Sequence, residues 1–208
     1  MSPPPQPIAN VAHRSISVGE VRLHVAEAGA GPVVVLLHGF PELWYSWRHQ
    51  LQAIADAGYH AVAPDLRGYG DSDAPQPVEA YRMIELIEDV RGLLDALGAE
   101  RAVLVGHDWG ARIAWHTAQR HPERIIALAA LGVPPTPREP QRPTDMIRRF
   151  AAGAFNFALY FNSQESLRPN SRPIPAIRCA ASSTRSPETR RPNSFRTCLQ
   201  PNPQTVEH

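Results

Sequence analysis

Two short segments carry residue types that can do covalent chemistry. The first is Gly106-His107-Asp108-Trp109-Gly110. It lies between an apolar stretch, Arg101 to Gly106, and a stretch with helical spacing, Ala111 to Arg120. A reactive side chain at a sharp turn from strand to helix stands clear of both elements. It also faces a helix N-terminus, where main-chain N–H groups and the helix dipole favour negative charge. The backbone of such a turn is strained, and small residues are needed two positions to either side. Gly106 and Gly110 meet that need. The plainer alternative is a chance pair of glycines with Asp108 capping the helix.

An aspartate at this position selects a chemistry. A carboxylate is ionised at neutral pH and needs no base to activate it. It displaces a leaving group from saturated carbon and becomes an alkyl ester, which activated water must then cleave. Strained cyclic ethers and carbon–halogen bonds suit it as electrophiles; ordinary esters and amides do not.

The second segment is His38-Gly39-Phe40-Pro41-Glu42, directly after the apolar run Val33 to His38. In a sheet where both segments end neighbouring strands, the main-chain N–H groups of Phe40 and Trp109 would point at the oxyanion formed when water attacks the ester. A cis Phe40–Pro41 bond would aim the Phe40 N–H inward. The alternative is an ordinary strand-end turn with buried aromatics. His38, Gly39, Pro41, Gly106, His107 and Gly110 read as loop structure around Asp108, Phe40 and Trp109.

The elements that must position these residues follow from periodicity. His13 to Val18 and Val21 to Ala28 alternate around Gly19-Glu20, which predicts a β-hairpin. Val33 to His38 is apolar throughout, as a strand covered on both faces would be. Ser46 to Ala57 has helical spacing and stops at Gly58. His60 to Pro64 is a short strand, and Asp65 to Pro77 is a loop rich in Gly, Asp and Pro. Tyr81 to Leu97 is helical and stops at Gly98. Arg101 to Gly106 and Ile125 to Leu131 are further strands, with the Ala111 to Arg120 helix between them. Strands alternating with helices predict an α/β fold, a doubly wound and mostly parallel sheet.

The chain changes character after Gly132. Five prolines between Val133 and Pro143 predict a loop leaving the sheet. Thr144 to Phe161 reads as one helix with Thr144 as N-cap. Residues 162–208 hold seven Pro, seven Arg and seven Ser, with no Gly and no Asp. They do not read as packed structure. The expected organisation is a flexible arm over 1–12, a core over 13–133, a partial helical lid over 134–161 and a non-native or disordered tail over 162–208.

Bulk properties exclude several classes. The 208 residues carry a formal net charge of +1, which gives no reason to expect a nucleic acid or an anionic membrane as partner. No apolar run approaches the roughly 20 residues of a membrane span, and the start resembles no secretory signal. A cytoplasmic protein is expected. Cys179 and Cys198 are too few for a zinc site, and no suitably spaced histidine lies beside them. No metal and no cofactor are expected.

Three stretches together, His38-Gly-Phe-Pro-Glu-Leu-Trp-Tyr-Ser-Trp-Arg48, Pro64-Asp-Leu-Arg-Gly-Tyr-Gly-Asp-Ser72 and Gly106-His-Asp-Trp-Gly110, resemble the soluble-type epoxide hydrolases of the α/β-hydrolase superfamily. The likeness runs from about Ile16 to Phe161. It implies Asp108 as nucleophile, a helical lid inserted after the Ile125 strand, a small apolar epoxide as substrate and a diol as product. The related haloalkane dehalogenases share Asp-Trp at the turn but usually carry Asn where this chain has Phe40.

The resemblance also implies groups that are not found. The family uses a late His to activate water, an Asp or Glu to orient it, and lid tyrosines to protonate the alkoxide. The nine histidines are 13, 24, 38, 49, 60, 107, 116, 121 and 208. Eight precede the lid, and His208 is the last residue. Where the family often has Tyr-x-Leu-Tyr-Phe in the lid, this chain has Phe157-Ala-Leu-Tyr160-Phe161, so Tyr160 is the remaining candidate donor. All 21 basic residues are Arg, which suggests GC-rich coding DNA. Such DNA read out of frame tends to give Arg, Pro and Ser, so a frameshift or truncated gene model is the expectation for the tail. Three functions stay open: an epoxide hydrolase, inactive or single-turnover as written; a haloalkane dehalogenase relative; and a non-catalytic remnant.

Overall fold

The structure, a computed structural model, describes residues 11–135 and 143–151. The first stretch forms a six-stranded sheet in the order β1-β2-β4-β3-β5-β6. β1 (Ala12–Val18) and β2 (Val21–Ala28) form the antiparallel hairpin. β2 also pairs antiparallel with β4 (His60–Pro64). β4, β3 (Val33–Leu37), β5 (Ala102–His107) and β6 (Ile125–Leu131) then run parallel. The sheet is therefore mostly parallel, as the alternation of elements predicts.

β3 lies at its centre and every residue of it is buried. Side chains alternate between the faces of a strand. Val33, Val35 and Leu37 enter one core with Val90, Leu93 and Leu94 of α2 (Met83–Ala96) and Ile113 and Ala114 of α3 (Trp109–Arg120). Val34 and Leu36 enter the other with Leu51 of α1 (Arg48–Asp56) and Trp47. One apolar run thus serves two cores, which is why it shows no alternation in sequence.

Element ends differ from expectation where a tighter turn replaces the first turn of a helix. The segment expected as a helix from Ser46 is a 3-10 turn at Trp44–Trp47 followed by α1. The helix expected from Tyr81 is a 3-10 turn at Val78–Tyr81 followed by α2. α3 begins at Trp109, two residues before the expected Ala111, because Asp108 alone makes the turn. β6 is half-exposed: Ile126 is 52% and Leu131 45% exposed. It lies at the sheet edge, and a bulge sets Ile125 opposite Ala102 but Ala127 opposite Val103. Ile126 is the extra residue, so the in–out alternation shifts at that point.

A second unit begins at Thr136, and its described part is α4 (Pro143–Ala151). Pro143 opens this helix, so Thr144 lies inside the first turn instead of capping it. Proline suits a first helical position because the N–H it lacks has no acceptor there. Tyr160, Phe157, Cys179, Cys198 and the tail lie outside the described residues, as does residues 1–10 of the expected arm.

The Gly- and Pro-rich loop after β4 is held by an ion pair. Arg67 Nε donates to Asp89 Oδ2 of α2 at 2.6 Å, and its Nη1 donates to the Ala80 carbonyl of the 3-10 turn before α2 at 2.6 Å. Arg67 is 7% and Asp89 6% exposed. Removing one partner leaves the other charge buried and alone. Asp89→Ala should therefore cost about 3–5 kcal/mol, read as a lowered denaturant midpoint; a midpoint within error of the parent would show that the pair does not anchor this loop.

Candidate active site

The site forms where two parallel strands end side by side. Leu37 of β3 pairs with Gly106 of β5, so the loops that follow leave the sheet together. Asp108 makes the turn into α3 with φ 52° and ψ −115°, and no other described non-glycine residue has positive φ. Such a conformation costs of order 1–3 kcal/mol and persists only where its surroundings enforce it.

The surroundings are main chain. A Cβ on Gly110 would fall on the Leu37 and His38 carbonyl groups. One on Gly106 would fall on the Gly110 carbonyl, and one on Gly39 would lie 2.6 Å from Asp108 Cβ. The three glycines let β3, its loop and α3 approach closely enough to fix the turn. The Asp108 N–H donates to the Leu131 carbonyl at the end of β6, 3.2 Å away. Its carbonyl accepts the N–H groups of Ala111 and Arg112, which starts the helix.

The Asp108 side chain is half-buried and points at the neighbouring loop. The Phe40 N–H donates to Asp108 Oδ1 at 3.0 Å, and the Phe40–Pro41 bond is cis. Trp109 is the first residue of α3, where a main-chain N–H has no acceptor within the helix. Its indole is 45% exposed, with the Arg112 guanidinium 5.4 Å from the ring centroid. The structure therefore brings Asp108, Phe40 and Trp109 together, with Gly39, Pro41, Gly106 and Gly110 as the close-packed backbone around them.

His38 is fully buried. Its Nε2 accepts the Leu66 N–H at 3.0 Å. Its Nδ1 must then carry the proton it shares with the Gly39 carbonyl, 2.9 Å away. Both nitrogens are used, so the ring is a strut between the β4 loop and the Phe40 loop. Burial, the largest influence, holds it below the ordinary histidine value.

His107 is different. Its Nδ1 is 2.9 Å from Glu42 Oε1, and Glu42 Oε2 accepts the Gly39 N–H at 3.1 Å. Glu42, bound at one oxygen to His107 and at the other to the Gly39 N–H, thus clamps the Phe40 loop to the Asp108 turn. Sequence reasoning treated Glu42 only as part of the resemblance, because nothing local marks two residues 65 apart as partners. Tyr69 was missed altogether. Its ring packs edge-on against His38, 5.0 Å between centroids. Burial, and after it the Asp108 charge, pushes its hydroxyl up to about 12. It therefore stays protonated beside the carboxylate. Among the described residues no group of three or more His, Cys, Asp or Glu is placed to hold a metal ion.

Residues 32–172 match the model of the alpha/beta hydrolase fold family. The chain is 53% identical over 150 residues to epoxide hydrolase A of Mycobacterium tuberculosis, covering 71% of this chain and 47% of that one. It is 52% identical to epoxide hydrolase 3 of Siraitia grosvenorii, covering 64% and 42%. The crystal structure of epoxide hydrolase A from Mycobacterium thermoresistibile superposes with a TM-score of 0.71 at 50% identity, covering 74% of this chain and 49% of that one. An epoxide hydrolase structure from Vigna radiata gives 0.68 at 49% identity, covering 69% and 47%. The chain spans about half the length of the curated relatives it matches.

His38 gives the site an acid limit. Its folded value lies below that of the unfolded chain, so the unfolded state binds the extra proton first. Stability is full above about pH 6.5 and declines as pH falls from there toward the folded value. His38→Gln should cost about 1–3 kcal/mol at pH 7.5 and should flatten that decline. Urea midpoints against pH for both proteins check this; parallel curves would refute the role given to His38.

Proposed function

The chain belongs to the alpha/beta hydrolase fold family, and on that premise we propose that it acts on small apolar epoxides through an ester formed on Asp108. The observation that carries the reading is the 3.0 Å hydrogen bond from the Phe40 N–H to Asp108 Oδ1. It makes the two carboxylate oxygens unequal. Oδ1 is engaged and Oδ2 is the oxygen left to attack. Oδ2 would form a bond to a ring carbon of the epoxide as that carbon's bond to the ring oxygen breaks. The electron pair goes to the ring oxygen, which takes up a proton from water, leaving hydroxide to solvent.

Oδ1 then becomes the carbonyl oxygen of an alkyl ester. Water adding to that carbonyl would put negative charge on Oδ1, beside the donor that already holds it. The Trp109 N–H at the helix start supplies the second donor. A fixed donor of this kind contributes roughly 2.7–4 kcal/mol to such a step. Collapse of the adduct would return the carboxylate and release a 1,2-diol. Relatives named epoxide hydrolases at about 50% identity support this choice of electrophile. Phe40, where the dehalogenases usually carry Asn, supports it over a carbon–halogen bond.

The second half of the reaction needs a base facing the ester. Of the histidines paired with carboxylates among the described residues, His107 is the one adjoining Asp108, and Glu42 occupies its Nδ1. No histidine stands between His121 and His208. The chain as given is accordingly proposed to form the ester and to hydrolyse it slowly or not at all.

Intact-mass measurement after incubation with an aryl epoxide tests both halves. The parent should gain the mass of one epoxide, and Asp108→Asn should gain none. Loss of the adduct over hours with diol release would show that a base is present. Absence of any adduct on a folded parent protein would overturn the reading, and bromide or chloride release from haloalkanes would replace it.

A further inference from the structure

Three polar side chains away from Asp108 share protons in a line. Asp65, at the end of β4, is 2% exposed. Its Oδ1 accepts the Trp44 N–H at 2.9 Å, and its Oδ2 accepts the Asp71 N–H at 3.3 Å. The same Oδ2 lies 2.9 Å from His24 Nδ1. A carboxylate that gathers donors on both oxygens is ionised, and burial is outweighed by these bonds, so Asp65 sits below its ordinary value. His24 Nδ1 is therefore a donor. His24 Nε2 faces His13 Nδ1 at 3.0 Å.

The ring geometry shows what kind of contact this is. The two imidazoles lie within 10° of parallel with centroids 5.2 Å apart. Parallel rings at that separation can bring their nitrogens to 3.0 Å only by meeting edge to edge, nitrogen facing nitrogen. One proton must lie between them. A metal ion does not fit between nitrogens facing each other in line, which would stand about 4 Å apart around one; tetrahedral ligands, about 3.3 Å apart, would be bent toward the ion instead. Face-to-face stacking does not fit either.

Both ends of the Phe40 loop depend on residues 65 and 66. The Trp44 N–H binds Asp65, and the Leu66 N–H binds His38, which binds Gly39. The Trp44 ring also packs edge-on against His13, 4.7 Å between centroids. We propose that Asp65, His24 and His13 form a proton-sharing relay that positions the Phe40 loop, and that uptake of a second proton by the His13–His24 pair releases it. The relay is a property of this geometry alone; its meaning for catalysis rests on the epoxide reading above.

The charge balance fixes the sign. The bridge holds with one proton between the rings, and it holds when His13 also takes a proton on its exposed side. It fails when both facing nitrogens are protonated. The charged groups that face His13 are His24 from β2 and Asp65 and Asp71 from the loop after β4. Burial, then His24, holds His13 below the ordinary histidine value, while the two aspartates oppose this. The relay is thus closed at neutral pH; His13 takes its own proton only on the acid side of about 6.5, and release, which needs one proton more on the pair, lies further to the acid side.

Nitrogen-15 NMR of the imidazoles tests the relay directly. At pH 7.5 the spectrum should show a coupling across the hydrogen bond between His13 Nδ1 and His24 Nε2, which should vanish on acidification. Protection of the Trp44 and Leu66 amides, relative to their intrinsic exchange at each pH, should then fall about two- to tenfold, the worth of one hydrogen bond, with the protection of Leu104 in the core unmoved. His13→Phe keeps a ring against Trp44 and removes the bridge. It should show the lower protection already at pH 7.5. No coupling at neutral pH, or unchanged exchange at Trp44 and Leu66 in His13→Phe, would overturn the proposal. Should the variant not fold, the coupling in the parent decides alone. Neither readout uses an epoxide, so a negative result here leaves the hydrolase reading intact, and a missing adduct leaves the relay intact.

Discussion

The structure turns on one contact between main chains. The start of α3 lies so close to the end of β3 that position 110 admits no side chain, and neither does position 106. This closeness forces the chain from β5 to α3 through a single residue, Asp108, in a backbone conformation that other side chains rarely adopt. A wider turn would relieve the strain and carry the carboxylate away from the sheet edge. Strain here is the cost of presentation, and the packing of β3 against α3 sustains it.

From that contact the electrostatics follow. The carboxylate arrives beside a loop whose Phe40 N–H is already turned toward it. It also arrives over the first turn of α3, where unpaired N–H groups concentrate positive potential. Neither donor is a side chain, so neither depends on a rotamer. The side chains serve to hold the loop: His38 from beneath, through both ring nitrogens, and Glu42 with His107 from above. Asp65 extends the support to the β1–β2 hairpin. The loop is therefore held by polar contacts to the β4 loop and the β5 turn, with β2 behind Asp65, while the carboxylate itself accepts a hydrogen bond from it.

The sequence disclosed the parts of this that are local. Asp108, Phe40 and Trp109 lie in short segments whose residue types have few other uses together, and the strands before them are long apolar runs. The core faces of β3 could be placed in the same way. What was hidden is whatever depends on partners distant in the chain. Arg67 and Asp89 are 22 residues apart, and His24 and Asp65 are 41 apart. Charged residues in loops have no period to betray their pairing. The 3-10 turns at Trp44–Trp47 and Val78–Tyr81 overlap the starts of the helices expected from Ser46 and Tyr81, because apolar spacing over so few residues fits both forms. The bulge at Ile126 left no mark either, since every residue of β6 is apolar.

The two halves of the proposed chemistry differ in how much structure they need. Attack by Asp108 needs a presented carboxylate and a donor for Oδ1. Two adjacent strand ends supply both, and they lie within one closely packed segment of the chain. Cleavage of the ester needs a third group approaching from another direction, because the donors already occupy the sides that β3 and α3 provide. Such a group must come from an element beyond β6 or from above the sheet. Among the described residues the direction beyond β6 is open, with Ile126 and Leu131 exposed. Presentation of the carboxylate is thus a short-range property of the fold, whereas the water activation that the proposed second half calls for is not.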